Sequence, residues 1–93
     1  MKISGAHVSA ARDLLKMTQQ ELGTAAGVSW LTILRFEAGQ MEPQRANLEK
    51  IQAELEHRGI EFTNGDGIGV RLNFRKAAEF ARQSAQAQNA SDQ

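Results

Sequence analysis

A chain of 93 residues that is 41% hydrophobic and 24% charged holds enough apolar side chains for one compact core and no second one. With no cysteine there is no disulfide framework, thiolate zinc site or cysteine nucleophile. No apolar run reaches the ~18 residues of a membrane span, and Met1–Gly5 lacks the apolar run of a signal peptide, so a soluble, cytoplasmic protein is expected. Eleven Lys plus Arg balance eleven Asp plus Glu, so composition does not announce a nucleic-acid binder.

Along the chain, Val8, Ala11 and Leu15 recur at helical spacing with Leu14 beside them, which predicts a first helix over Ala6 to Lys16. Thr18-Gln19-Gln20-Glu21 has the spacing of a capping box and starts a second helix that ends near Ala26. Gly27 suits a left-handed stop, and Ser29 can cap a third helix over Trp30 to Ala38, closed by Gly39. Pro43 fits the first turn of a fourth helix, in which Leu48, Ile51 and Leu55 form the buried stripe up to Arg58. After Gly59 the period becomes two: Ile60 to Thr63 and Ile68 to Leu72 read as strands around the turn Asn64–Gly67. Asn73 is placed to cap a last helix from Phe74 to about Ala87, with Phe74, Ala77, Ala78, Ala81 and Ala85 on one side. Residues Gln88 to Gln93 are expected to fray.

The expected fold is therefore mainly α: a helix-turn-helix bundle over residues 1–58, a β-hairpin over 59–73 and a C-terminal helix with a frayed tail over 74–93. Two short helices joined at a glycine and framed by a helix on each side form the arrangement that puts the second of the pair in the DNA major groove. At Thr18-Gln19-Gln20-Glu21-Leu22, Ala25-Ala26-Gly27-Val28-Ser29, Ile33 and Phe36-Glu37-Ala38-Gly39 the chain resembles the phage-repressor and Cro (Xre) family of transcriptional regulators.

That resemblance implies core roles for Leu22, Ala26, Val28, Ile33 and Phe36 and an internal salt bridge between Arg12 and Glu37. It implies DNA contacts by Gln19, at the start of the second helix, and by Ser29, Trp30, Leu31 and Arg35 on the recognition helix. The chemistry fits. A glutamine amide and helix-terminal amides, here those following Thr18, donate to phosphate oxygens and fix register. An arginine fork matches O6 and N7 of guanine, which makes Arg35 the candidate for base readout. Arg45 is the best placed of the surface cations for a phosphate, ahead of Lys2 and Lys16. Trp30, Leu31 and Leu34 stand where many relatives carry polar residues, and apolar side chains can meet thymine methyl groups.

Other readings of these residues are blander. The glycine-rich run Asn64 to Gly69 reads as a plain hairpin connection rather than a ligand loop, since a dinucleotide loop needs its glycines between strand and helix, and a calcium loop needs more carboxylates than Asp66. His7 and His57 have no ligand-spaced neighbours and read as surface residues, so no metal or other cofactor is expected. No nucleophile with its base is visible, so no enzyme is expected.

A hairpin alone is marginal in water and must be covered, and helix-turn-helix proteins commonly bind two half-sites as symmetric dimers. A homodimer through the hairpin and last helix is therefore expected, acting on double-stranded DNA as a repressor at a palindromic operator. The alternative partner is a protein, the chain then being an antitoxin-like interaction module of the same fold.

Overall fold

The computed structural model describes residues 1–91, as α1 (Gly5–Leu15), α2 (Gln19–Ala26), α3 (Trp30–Glu37), α4 (Arg45–His57), β1 (Ile60–Thr63), β2 (Gly69–Leu72) and α5 (Phe74–Ser91). Local capping sets most of these boundaries. The Thr18 hydroxyl accepts from the Glu21 amide at 3.0 Å while the Glu21 carboxylate accepts from the Thr18 amide at 2.9 Å, so α2 begins with a reciprocal capping box. The Thr18 backbone N–H first, then the Thr18 side chain, hold the Glu21 carboxyl below its ordinary range. Gly27 stops α2 at φ 74, and the Ser29 hydroxyl caps α3 by accepting from the Leu31 amide at 3.2 Å. Asn73 caps α5 through its side-chain oxygen, which accepts from the Lys76 amide at 3.1 Å.

α4 starts later than expected. Pro43 is buried in the preceding loop, Gln44 is the N-cap without a side-chain bond, and the first helical residue is Arg45. In that loop Pro43 lines one recess with Ile3 and Leu48. β2 likewise begins at Gly69, because Ile68 has no partner opposite it in the ladder Ile60–Leu72, Glu61–Arg71, Phe62–Val70, Thr63–Gly69.

The core gathers one or two residues from nearly every element: Ile3, Val8 and Ala11; Met17 and Leu22; Val28, Ile33 and Phe36; Ile51 and Leu55; and Ile60. Phe62, Val70 and Leu72 pack against it, so the hairpin is covered on one side by its own chain. His7 makes that attachment, and it is buried rather than on the surface. Its Nδ1 accepts the Ser4 backbone N–H at 3.0 Å, the Ser4 hydroxyl accepts the His7 amide, and Nε2, left with the ring hydrogen, donates to the Thr63 carbonyl at 3.2 Å. A histidine thus completes the capping box of α1 and ties that helix to the end of β1, with its ring edge-on to Phe62. His57 does lie at the surface, edge-on to Phe80.

α5 departs furthest from expectation. It runs to Ser91 instead of ending near Ala87, while Asp92 and Gln93 of the expected frayed tail lie outside the described residues. Its inward side is Ala77 and Phe80, whereas Phe74, Ala78, Ala81 and Ala85 are exposed. Arg58 lies over the Phe80 ring, 4.7 Å from its centroid. Glu61 of β1 holds the other end, accepting from Arg71, from Lys76 Nζ at 3.0 Å and from the Asn73 amide at 3.2 Å. Arg71 first, then Lys76 and Asn73, bring the Glu61 carboxyl down to about 2 from an ordinary 4.5. A carboxyl whose pKa falls on folding adds stability that is complete above 4.5 and disappears as pH drops through about 2. Glu61→Gln should therefore melt below the parent chain at pH 6, and the gap should close between pH 4.5 and 2 in thermal melts followed by circular dichroism.

Candidate nucleic-acid interface

The placement of α3 rests on one nearly buried network. Arg12 of α1 grips Glu37 at the end of α3 with two parallel bonds, Nε to Oε2 at 2.6 Å and Nη2 to Oε1 at 2.7 Å. Its remaining Nη1 donates to the Met17 carbonyl at 2.8 Å, in the link between α1 and α2. The Gln19 amide, at the first position of α2, donates to Glu37 Oε1 at 3.0 Å. With side-chain exposures of 14% and 7%, the pair is shielded from solvent, and the hydrogen bond to Glu37 raises the Arg12 pKa above its already high value. One carboxylate so joins three helices, as the Arg12–Glu37 expectation required, and adds Gln19 to it.

Between α2 and α3 the backbones approach closely at Gly23. A Cβ there would come within 2.7 Å of the Val28 carbonyl and 3.2 Å of the Trp30 amide. This position escaped the sequence reading, because a glycine inside a helix carries no periodic signal.

The two helices present α3 with one side inward, through Ile33 and Phe36, and one side outward. On the outward side are Trp30, 46% exposed, and Leu34, 38% exposed, with half-buried Leu31 and exposed Arg35 between and beside them. Arg35 makes no salt bridge among the described residues, and the one carboxylate of α3, Glu37, is turned inward and neutralised by Arg12. The helix therefore shows solvent a positive charge with no counter-charge of its own. Beside Trp30, an open cleft is lined by Gln20, Gly23, Thr24, Gly27 and Ser29. Gln20 and Thr24 are exposed there and were also missed, though their spacing of four on α2 was visible.

The remaining candidates are more committed to the fold. The Thr18 and Ser29 hydroxyls serve as helix caps. Arg45 is exposed and pairs with Glu49 at 3.3 Å, and Lys2 pairs with Glu42 at 2.9 Å. Lys16 ends α1 in the left-handed conformation at φ 57. Among the described residues, no three His, Cys, Asp or Glu side chains are placed to hold a metal ion, and no helix is long and apolar enough to cross a membrane.

Four helices around a capped turn, with an outward-facing third helix, define a helix-turn-helix protein, and residues 8–56 match the helix-turn-helix family. The chain belongs to that family in its phage-repressor and Cro (Xre) form, a family of DNA-binding regulators. No curated protein matches the chain.

Removing one member of a shielded ion pair strands the other, at a cost of about 3–5 kcal/mol, whereas replacing both with apolar residues is often close to neutral. Glu37→Ala should lose about that much stability in urea unfolding, and Arg12→Met combined with Glu37→Leu should recover most of it.

Proposed function

We propose that this chain is a sequence-specific transcriptional regulator that binds duplex DNA through the outer side of α3. The observation that carries the reading is the uncompensated Arg35 on that side, on a helix whose only carboxylate faces inward. Arg35 reads guanine through O6 and N7. Gln19, held by Glu37 through one amide hydrogen, offers its carbonyl and remaining hydrogen, and its position at the start of α2 favours a phosphate contact over base readout. Thr18 and Ser29 contribute as caps that point the first amides of α2 and α3 outward, and Arg45, paired only with exposed Glu49, can turn to a phosphate. Trp30 and Leu31 complete the contact.

Residues 1–58 are the DNA-binding unit in this reading, and the hairpin (59–73) with the C-terminal helix and tail (74–93) joins two copies at a palindromic operator, where the dimer represses by obstruction. Ile68, 57% exposed, and Phe74, 81% exposed, flank β2 and are the most exposed large apolar residues described. A second reading, a protein-binding module of antitoxin type, draws on the exposure of Trp30 and Leu34 on the same helix.

Binding to the DNA upstream of the coding sequence, measured by fluorescence anisotropy at two salt concentrations, tests the main reading. Affinity should fall steeply with salt, and Gln19→Ala should weaken binding to all sequences alike. Arg35→Ala should cost roughly 1–3 kcal/mol and relax one base preference. No preference over random DNA at low salt would favour the protein-binding module.

The dimer has its own test in sedimentation of the full chain. A dimer is expected at micromolar concentration, and Phe74→Asp, on a side chain that is 81% exposed, should shift it to monomer.

A further inference from the structure

The outer side of α3 has a chemical peculiarity that narrows what it can read. At about 100° per residue, Trp30, Leu34, Ala38, Leu31 and Arg35 occupy an arc of roughly 140°. Thr32 falls outside that arc and is half-buried, and the Ser29 hydroxyl is engaged with the Leu31 amide. Within the arc the hydrogen-bonding groups are the Arg35 guanidinium and the Trp30 indole N–H, both donors only. No side chain there accepts a hydrogen bond, and the helix's own carbonyls are used by its backbone ladder.

Major-groove edges differ in what they ask of such a surface. Adenine and cytosine each present an amino group that needs an acceptor, guanine presents two acceptors, and thymine presents one acceptor and a methyl group. Every base pair carries one such amino group. A surface of donors and hydrocarbon therefore favours pairs turned to place guanine or thymine beneath it and disfavours those turned to place the amino group of adenine or cytosine there, desolvated and unpaired. Trp30 and Leu34 lie one helical turn apart, a rise of ~6 Å, which spans roughly two base steps of ~3.4 Å.

Resting on the DNA-binding reading above, we propose that Trp30 and Leu34 are specificity-determining residues that read thymine 5-methyl groups, next to the guanine taken by Arg35. Half-sites are then built from closely spaced thymines and a guanine on the bases facing α3. Burial of a methyl group accounts for about fourfold in affinity, from ~0.8 kcal/mol at tenfold per 1.4 kcal/mol.

The test separates the methyl from everything else a thymine offers. Duplexes selected from a randomised pool by the full chain are resynthesised with deoxyuridine at each thymine in turn, which removes only the methyl. Deoxyuridine at the positions facing α3 should weaken binding about fourfold each, while the same change elsewhere in the duplex should leave it unaltered. Placing 5-methylcytosine rather than cytosine at those positions should restore about the same factor. Trp30→Ala and Leu34→Ala should abolish the preference for thymine over deoxyuridine while the chain still melts cooperatively, at a temperature lowered by the part of each side chain that is buried. Arg35→Ala should keep that preference and lose the guanine.

A selected half-site without thymine would overturn the proposal, as would equal binding of thymine and deoxyuridine, or a preference untouched by both apolar variants. These results leave DNA binding itself standing. Absence of any selectable duplex at low salt would instead remove the DNA-binding reading and this inference together.

Discussion

The two-pronged contact between Arg12 and Glu37 is the constraint on which the functional geometry depends. Three short helices of eight to eleven residues have little intrinsic stability, and their crossing angles are set by what they share. Glu37 is shared by α1, through Arg12, and by α2, through Gln19, while Arg12 also holds the Met17 carbonyl between them. An apolar contact of equal area tolerates sliding, whereas a shielded bidentate pair tolerates one register. The pair therefore contributes to the orientation of α3 more than to net stability. Gly23 serves the same end by letting α2 and α3 meet backbone to backbone.

The balance of charges is misleading until the pairs are seen. Arg12, Arg45, Arg58, Arg71, Lys76 and Lys2 each face a glutamate, so much of the chain's charge is cancelled locally, within a turn or across a junction. What matters to a polyanion is the local field of the surface it meets, which falls off within a Debye length of ~8–10 Å. On α3 that field comes from Arg35, with the helix's own carboxylate, Glu37, turned inward onto Arg12. A formal charge of zero is thus compatible with a locally positive outer side of α3.

Much of this was legible in the sequence, for identifiable reasons. The box at Thr18–Glu21, the stop at Gly27 and the caps at Ser29 and Asn73 act over three or four residues, so local spacing reveals them. What stayed hidden depended on distant partners. His7 has no ligand-like neighbours in sequence, and its ring is buried because Thr63, 56 positions away, supplies an acceptor. Pro43 lies outside α4, in a recess that it lines with Ile3 and Leu48. For α5, alanine spacing suggested a buried side, but the attachments come from Phe80 and from Glu61, neither of them in that pattern. In the candidate interface the outward set on α3 came from the resemblance to the phage-repressor and Cro family, whereas the bond from Gln19 to Glu37 required the fold.

An apolar recognition surface makes rigid placement more important. A charge steers a phosphate from several ångströms away, and an arginine can adjust its long chain to reach a guanine. Dispersion and methyl burial, by contrast, decline within about 1 Å of the best separation. Trp30 and Leu34 can discriminate a methyl group only if α3 is seated repeatedly in the same position. The Arg12–Glu37–Gln19 network and the close packing at Gly23 supply that repeatability, and Gln19 couples it to the start of α2, where a phosphate contact would fix the register. In the proposed reading the buried polar network and the exposed hydrocarbon of α3 are two parts of one device: the first limits how the helix can lie, and the second depends on that limit to distinguish one base from another.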